Sequence, residues 1–403
     1  MKKYLFLIIL LLFAVRPLSA QHTYTARVVD ASTGDALPMA SVYISAAHST
    51  ITNQEGDFSI LANPDDMLRI SYVGYNTKDI KASDLGSKVE LKPYTQMLQE
   101  VTVTPIDVVS LLKKLVRKLK MEYAQYRFEQ SNYFYRQVSS NDTTYNELIE
   151  AFFRSQSDIA LRNFMLTTGR YGNIESGDTL KPFYKFRNYY MTSYLAPMLP
   201  NPGIWKELYT PLPYKWVSHY YDDLYNLSYA ILHGDDDRKI IVVQFGEKVK
   251  NSSHLMTGRL MFDMDKLRLL SFRGKVHNEP VRILYRTSGP NSIMGYGLRD
   301  IEIQMTYKHD RGFDEVASIG TRMVVDRGKD EYNSVYWSTM FNIGDYDIGE
   351  GTSTDKEDIY NALSSRGNDE AFRENYQIVK TTSTEEAIIK KFEREGCFGN
   401  FKH

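Results

Sequence analysis

Apolar and polar residues alternate along much of this chain in short runs, which is typical of antiparallel β-strands. In residues 26–75 the runs are separated by turns rich in Gly, Asn and Asp. Leu68 and Ile70 fall on one face of such a strand and Arg69 on the other, as a half-buried antiparallel strand requires. The number and spacing of these runs predict a small seven-strand-like β-sandwich over residues 21–103.

The alternation resumes over residues 127–403 and becomes regular after residue 220. Residues 128–138 and 146–153 are predicted to form the first strands of this region, whereas the pattern at 157–170 is ambiguous. Seven further strands are predicted over residues 240–245, 257–264, 267–276, 281–287, 301–308, 317–325 and 335–341. A long antiparallel meander with one polar face is expected to curl into a barrel or half-barrel.

Between the two β-regions, residues 104–126 have the period of an amphipathic helix. Thr104 and Pro105 suit its start, as a hydroxyl cap followed by proline at the first helical position. Apolar residues such as Leu112 and Leu115 then share one face, and lysines and arginines share the other. A basic face suits a helix that lies on an anionic membrane surface. A helix packed on the next domain is favoured, because the segment connects two β-rich regions.

Near the C-terminus, a second helix is predicted to begin at the capping box of residues 382–386 and to end at Gly396. Ile388, Ile389 and Phe392 give it an apolar face, so it is expected to dock on the sheet. The predicted fold class is therefore mainly β. It comprises the N-terminal sandwich, a helical connector, and a C-terminal antiparallel curved sheet, or half-barrel, with docked helices.

The first 20 residues have the organisation of an export signal peptide. Lys2 and Lys3 form its basic region, and the apolar residues 4–15 are too few to span a bilayer as a helix. Ala20 offers a small residue for cleavage, and an uncleaved N-terminal anchor is the alternative. Because the only cysteine is Cys397, neither a lipoprotein signal nor an intramolecular disulfide is expected. The mature chain is predicted to be exported, to the periplasm or the periplasmic face of the outer membrane.

The charge balance gives no sign of a nucleic-acid partner. Cleavage of the signal removes three of the 49 basic residues and none of the 50 acidic ones, so the mature net charge is about −4. After the signal, no apolar run is long enough for a transmembrane helix. A barrel in the outer membrane is disfavoured, because Arg268 and Arg273 place charge on both faces of a predicted strand.

Residues 26–75 also carry the motifs of a known domain family. The motifs are Val29-Asp30, Thr33-Gly34, Leu37-Pro38, Ala40-Ser41-Val42, Thr52-Asn53, Gly56, Phe58 and the run from Ile70 to Tyr75. Together they resemble the carboxypeptidase-D regulatory-like domain, and residues 98–104 are similar to the segment that ends this domain in Bacteroidetes outer-membrane proteins. The resemblance implies a transthyretin-like sandwich that has no catalytic residues of its own.

A second resemblance concerns residues 245–248, 258–263 and 267–270. Their strand–turn–strand pattern is similar to that of lipoprotein-carrier, LolA-like half-barrels found behind Bacteroidetes regulatory-like domains. This resemblance implies a curved sheet that cradles a central helix and presents an apolar groove for an acyl chain or a peptide. No groove residue is assigned.

No catalytic, cofactor-binding or metal-binding residue is assigned. A zinc peptidase needs His and Glu three residues apart, and no histidine from His22 to His309 has Glu at that spacing. Cys397 is interpreted as a small apolar group, and the Pro-rich segment 194–216 as a surface excursion or, alternatively, a lid over a groove. Asp57, Asp65 and Asp66 do not have the spacing of a calcium loop and are interpreted as solvated turn acids. Residues 235–237 are interpreted as an acidic β-turn between strands, with metal binding as the alternative. Asp345, Asp347 and Glu350 do not fit a calcium loop either.

The leading functional hypothesis is a non-enzymatic envelope protein that binds or carries an apolar ligand, such as a lipid, an acyl chain or a peptide. The alternative is a scaffold whose sandwich docks on an outer-membrane protein through its edge strands. A third hypothesis, an unrecognised hydrolase, needs a cleft with perturbed titratable groups. Neither a cofactor nor a nucleic-acid partner is expected.

Overall fold

The structure is a computed structural model. It describes residues 21–44, 48–96, 106–126, 128–141, 144–157, 161–174, 225–233, 238–247, 257–277, 297–309, 311–326, 334–353, 363 and 380–398. Several features predicted from the sequence lie outside these ranges. They are the export signal at 1–20, the segment 98–104, the Pro-rich segment 194–216, the acidic residues 235–237 and the strand predicted at 281–287.

Seven short strands build the predicted sandwich. They are β1 (His22–Asp30), β2 (Ser41–Tyr43), β3 (Ser49–Ile51), β4 (Asp57–Ala62), β5 (Met67–Ser71), β6 (Lys78–Lys81) and β7 (Lys88–Leu91). One sheet has the order β4-β1-β7 and the other β3-β2-β5-β6. Val28, Phe58 and Ile70 are fully buried in the core that the two sheets share. The sandwich is confirmed, although the sequence did not predict β3, which at three residues is too short to show alternation.

The turn before β4 requires a glycine. Gly56 has φ +79°, and a Cβ atom there would lie 2.7 Å from the carbonyl oxygen of Val28. The side-chain Oδ1 of Asn53 accepts hydrogen bonds from the backbone N–H groups of Glu55 and Asp57, both at 2.9 Å. The turn is therefore determined by a glycine at positive φ and by the side chain of Asn53.

The second domain is one large antiparallel sheet. Its strands are β8 (Thr95–Gln96), β9 (Gln130–Asn141), β10 (Thr144–Ser157), β11 (Leu161–Asn173), β12 (Tyr225–His233), β13 (Lys239–Glu247), β14 (Thr257–Asp263), β15 (Arg268–His277), β16 (Gly297–Lys308), β17 (Glu315–Asp326), β18 (Ser334–Gly344) and β19 (Thr352–Ser353). Their order is β19-β11-β10-β9-β18-β17-β16-β15-β14-β13-β12-β8, and the sheet is curved without closing on itself.

This sheet confirms the predicted mainly β fold class, and it also contains strands that the sequence did not predict. Residues 161–170 of the ambiguous stretch lie in β11, and the sequence did not predict β8, β12 or β19. The antiparallel pairing of β9 with β18 brings the start of the domain beside its end. The two-residue strands β8 and β19 pair with the outer long strands β12 and β11 and so cover part of each sheet edge.

Helix α1 (Val108–Gln125) packs on one face of the large sheet, called here the inner face. Leu112, Leu115 and Leu119 are buried there, so the apolar side of the helix meets the sheet and the membrane-surface alternative is wrong. The helix starts three residues later than predicted. Asp107 caps it by accepting a hydrogen bond of 3.0 Å from the N–H of Ser110. Ile106, the residue before this cap, already contacts the sheet, because its N–H donates to the hydroxyl of Tyr229 on β12 at 3.2 Å.

Helix α2 (Ser383–Arg394) docks on the opposite, outer face of the sheet, as predicted. Thr382 and Glu385 form the predicted capping box, and Gly396 ends the helix with φ +67°. The buried helix residues Ile388, Ile389 and Phe392 pack against Val138, Leu148 and Phe398. In the described parts of the chain, neither helix is long and apolar enough to cross a membrane.

The sandwich rests on the same outer face. Met39 and Ile51 of the sandwich share an apolar cluster with Phe134, Phe152 and Phe341 of the sheet. The hydroxyl of Ser49 donates a 2.8 Å hydrogen bond to the backbone oxygen of Asn342, and the amide of Asn53 donates one of 3.2 Å to that of Thr381. The sandwich, the outer face and the segment before α2 therefore meet at one junction.

Candidate functional site

Met39 of the sandwich packs against the outer face of the sheet at this junction. It is a buried non-glycine residue with φ +63°, a backbone conformation that L side chains rarely adopt. The N–H of Met39 is held by the carbonyl of Thr52 at 2.9 Å, and its sulfur lies over Gly320 of β17, where a Cβ atom would approach it to 2.7 Å. A strained backbone conformation of this kind persists only when neighbouring residues fix it. At Met39, the hydrogen bond within the sandwich and the contact with the sheet both do so.

On one side of Met39 and Ile51 lies a cavity of about 300 Å3, the junction pocket. Its walls are mainly apolar, and four charged residues also line it. The apolar lining residues are Met39, Ile51, Phe134, Val138, Tyr145, Trp337, Phe341 and Ile388, and the charged ones are Glu55, Arg136, Lys380 and Glu385. Trp337 is 38% exposed, so this pocket includes one of the large apolar side chains that the described surface leaves open.

Beneath the pocket lies a buried ion triad. Arg136, Glu150 and Arg170 stand directly opposite one another on β9, β10 and β11. The Nε atoms of the two arginines each donate to a different oxygen of Glu150, both at 2.7 Å. Burial alone would raise the pKa of Glu150, but the two guanidinium groups outweigh it and hold the pKa below its ordinary value.

The triad also ties α2 to the sheet. Arg136 reaches Glu385 at 3.2 Å, and Arg170 reaches Glu393 at 3.4 Å. Because Arg136 and Glu385 line the junction pocket, the docking of the helix and the shape of the pocket depend on the same charged groups.

On the other side of Met39 and Ile51 lies a larger cavity of about 530 Å3, the inter-domain cleft. The sandwich contributes residues of β2 and β5 together with residues 71–75, and the sheet contributes residues around 263–270 and 306–309. The ionisable lining residues are Arg69, Asp79, Arg238, Asp263, Lys266, Arg268, Lys308 and His309, and the tyrosines are Tyr43, Tyr72, Tyr75, Tyr94 and Tyr307. Cations therefore predominate.

A histidine–aspartate pair faces this cleft. The Nδ1 atom of His309 lies 2.8 Å from Oδ1 of Asp314, and Oδ2 of Asp314 accepts a 2.8 Å hydrogen bond from the N–H of Leu269. Burial raises the pKa of Asp314, and the bonds from Leu269 and His309 offset this only in part. A carboxylate that orients a histidine is one component of a general base, but the described contacts place no hydroxyl nucleophile on His309.

The inner face carries a buried polar chain beside α1. Tyr135 donates to Gln137 at 2.6 Å, Gln137 donates to Glu147 at 2.8 Å, and Tyr171 donates to Glu147 at 3.2 Å. Burial and the charge of Glu147 raise the pKa of Tyr171 far above its ordinary value. Helix α1 packs against this same face through Leu112, Leu115 and Leu119.

The acidic residues singled out in the sequence lie apart and serve local structure. Asp57 pairs with Arg27 at 2.9 Å, and Asp65 pairs with Lys81 at 2.7 Å. Asp66 accepts hydrogen bonds from Asn63, and Asp347 accepts one from the N–H of Gly349, while Asp345 and Glu350 are exposed. Within the described ranges, no three His, Cys, Asp or Glu side chains converge as metal ligands do.

Cys397 is partly buried beside Phe392 and Phe398, and burial raises the pKa of its thiol.

The residues of the junction pocket and the cleft were not predicted as site residues. Trp337 shares its side of the predicted strand with Val335, Thr339 and Phe341, so the alternation does not mark it as an exposed residue.

Comparison with known proteins identifies the first domain only. Residues 25–103 match the family model of the CarboxypepD_reg-like domain. This carboxypeptidase regulatory-like domain is non-catalytic, and its match covers the sandwich described above. No curated protein matches the chain.

Proposed function

We propose that this is a non-enzymatic, exported envelope protein of Bacteroidetes type that binds an apolar ligand in the junction pocket. One observation carries the proposal: a mainly apolar pocket of about 300 Å3 lies where two domains and α2 meet. Ligand sites are preferentially found at domain junctions, and their volumes start at about 300 Å3. The export signal and the two family resemblances support the cellular location and the ligand class.

A short acyl chain or an apolar peptide side chain suits this pocket. Phe134, Phe341 and Ile388 supply apolar walls, and Lys380, which also lines it, suits a carboxylate at the end of such a ligand. The inner face of the sheet is a poorer candidate, because α1 would have to leave its buried position to admit a ligand.

Quenching of Trp337 fluorescence by a brominated fatty acid tests the proposal on the purified mature protein. We expect saturable quenching in the wild type and loss of the quenched component in Trp337→Phe, because Trp337 lines the pocket. Quenching that is identical in Trp337→Phe would place the ligand elsewhere. No saturable quenching, together with no lipid that co-purifies by mass spectrometry, would refute apolar-ligand binding.

A pair of variants on one strand provides the matched control. Thr339 lines the junction pocket and Val335 does not, although both lie on the outer side of β18. Thr339→Phe is expected to fill part of the pocket and to weaken binding about tenfold or more, whereas Val335→Phe leaves it unchanged. Equal effects of the two variants would contradict a ligand in this pocket.

The scaffold alternative depends on the edge strands of the two sheets of the sandwich. β4, β6 and β7 are outer strands in the described structure, and outer strands accept an added strand from a partner. Capture of partners from envelope extracts with the mature protein distinguishes the two functions. A specific outer-membrane partner that is retained at saturating fatty acid favours the scaffold, and one that the fatty acid displaces favours ligand-dependent docking.

A further inference from the structure

The inter-domain cleft concentrates positive charge in a chain whose formal net charge is −1. Five Lys and Arg side chains line it, against the two carboxylates of Asp79 and Asp263. The Lys, Arg and Asp side chains of the lining therefore carry three more positive than negative charges. A cleft with walls of one sign raises the local concentration of ligands of the opposite sign.

Both carboxylates already have other partners. Asp79 accepts two hydrogen bonds from Arg69, at 2.7 and 2.8 Å. Oδ1 of Asp263 accepts from the backbone N–H groups of Asp265, at 3.0 Å, and Lys266, at 2.8 Å. Asp263 therefore caps the turn between β14 and β15 and does not need the side chain of Lys266 to satisfy it.

Lys266 and Arg268 are the cations left available. Among the residues that the structure describes, neither side chain has an ion-pair partner. Both project from a well-held turn, in which the backbone N–H groups bind Asp263 and Leu267 adopts φ +49°. A rigid turn holds two cations at the cleft without the entropy cost of ordering a loop when a ligand binds.

Arg238 and Lys308 also line the cleft, and Lys308 lies 3.3 Å from Glu315. Glu315 also contacts Arg311 through its other oxygen, at 2.7 Å. The sandwich contributes the hydroxyl groups of Ser41 and Ser71 on the opposite wall. Cations and hydroxyl groups together form the usual environment of a bound phosphate.

We propose that the inter-domain cleft binds a phosphate group of a ligand, with Lys266 and Arg268 as its main recognition residues. A volume of about 530 Å3 is enough for a small phosphorylated compound or for the phosphorylated headgroup of a lipid. This site is separate from the junction pocket, since Met39 and Ile51 lie between the two cavities.

Titration of the mature protein with pyrophosphate, and with vesicles of phosphatidylglycerol or phosphatidylcholine, tests this proposal. We expect saturable binding that the double variant Lys266→Gln/Arg268→Gln weakens about tenfold or more. The control Lys114→Gln/Arg117→Gln removes the same charges from the exposed side of α1 and is expected to leave binding unchanged.

Comparing the pyrophosphate and vesicle titrations distinguishes a soluble phosphorylated ligand from a lipid headgroup. Binding of free pyrophosphate that the cleft variant weakens supports a soluble phosphorylated ligand. Binding only to phosphatidylglycerol vesicles, weakened by the same variant, supports a lipid headgroup. No saturable binding in either arm, or equal losses in the cleft and α1 variants, overturns the proposal. Fatty-acid quenching of Trp337 is expected to be unchanged in the cleft variant, so the two proposed sites fail or succeed independently.

Discussion

Glu150→Gln removes the carboxylate that two buried arginines share. Glu150 is fully buried, and it meets Nε and Nη2 of both Arg136 and Arg170 at 2.6–2.7 Å. The glutamine keeps the shape of the side chain but leaves two positive charges in the interior without their common partner. Removing one member of a buried ion network costs about 3–5 kcal/mol, because the remaining charges stay desolvated.

The free energy of unfolding of the mature protein, from urea denaturation followed by circular dichroism, measures this loss. Glu393→Gln is the matched control, since Glu393 contacts Arg170 at 3.4 Å from a position that is 54% exposed. Solvent screens that pair, so the control should cost less than about 1 kcal/mol. A Glu150→Gln variant that loses no more stability than Glu393→Gln would refute the argument from burial.

The lowered pKa of Glu150 predicts how the stability of the protein changes at acidic pH. The pKa of Glu150 is lower in the folded protein than in the unfolded chain, where it is near 4.5. Its contribution to stability is therefore complete above that pH and is lost as the pH falls through the folded-state pKa. Glu150→Gln has no such proton to bind, so its stability should fall less steeply with acid than that of the wild type. Parallel pH profiles would contradict the lowered pKa.

Two further perturbations test the fold. Leu115→Ala is expected to destabilise the second domain by about 2–5 kcal/mol, because Leu115 is buried between α1 and the sheet. Lys114→Ala, on the exposed side of the helix, should leave the free energy of unfolding unchanged. Equal denaturation midpoints for the two variants would contradict the packing of α1 on the sheet. Gly56→Ala is expected to cost clearly more than Gly34→Ala in thermal unfolding. Both glycines have positive φ, but only at Gly56 does the added Cβ meet a backbone atom, and equal losses would show that the turn can relax.

The strands that the sequence predicted well are those with strict alternation over many residues. Residues 301–308 fall inside β16, and residues 335–341 inside β18. Residues 49–51 form β3 without any pattern of their own, because this strand is determined by its pairing with β2 and its contact with the sheet. The start of α1 moved from Thr104 to Asp107 for a similar reason, since both are good caps and only packing decides between them.

The candidate sites were beyond sequence reasoning. The junction pocket combines Met39 of the sandwich, Trp337 of β18 and Ile388 of α2, and no local pattern links positions so far apart in the chain. The cleft likewise depends on Arg69 and Arg268 coming from different domains. Acidic residues that stood out in the sequence proved to have structural partners: Asp57 pairs with Arg27 on the adjacent strand, Asp65 pairs with Lys81, and Asp347 accepts a hydrogen bond within its own turn.

By itself, the sequence determined the kind of elements in this protein and the domain family at its N-terminus. Period-2 alternation, turn residues and helix caps are local properties, and they act in the same way wherever the segment lies. The tertiary structure alone decided that α1 fills the inner face, that the sandwich docks on the outer face, and that two cavities flank Met39. These features arise from burial and charge pairing between distant segments, which a linear pattern does not encode.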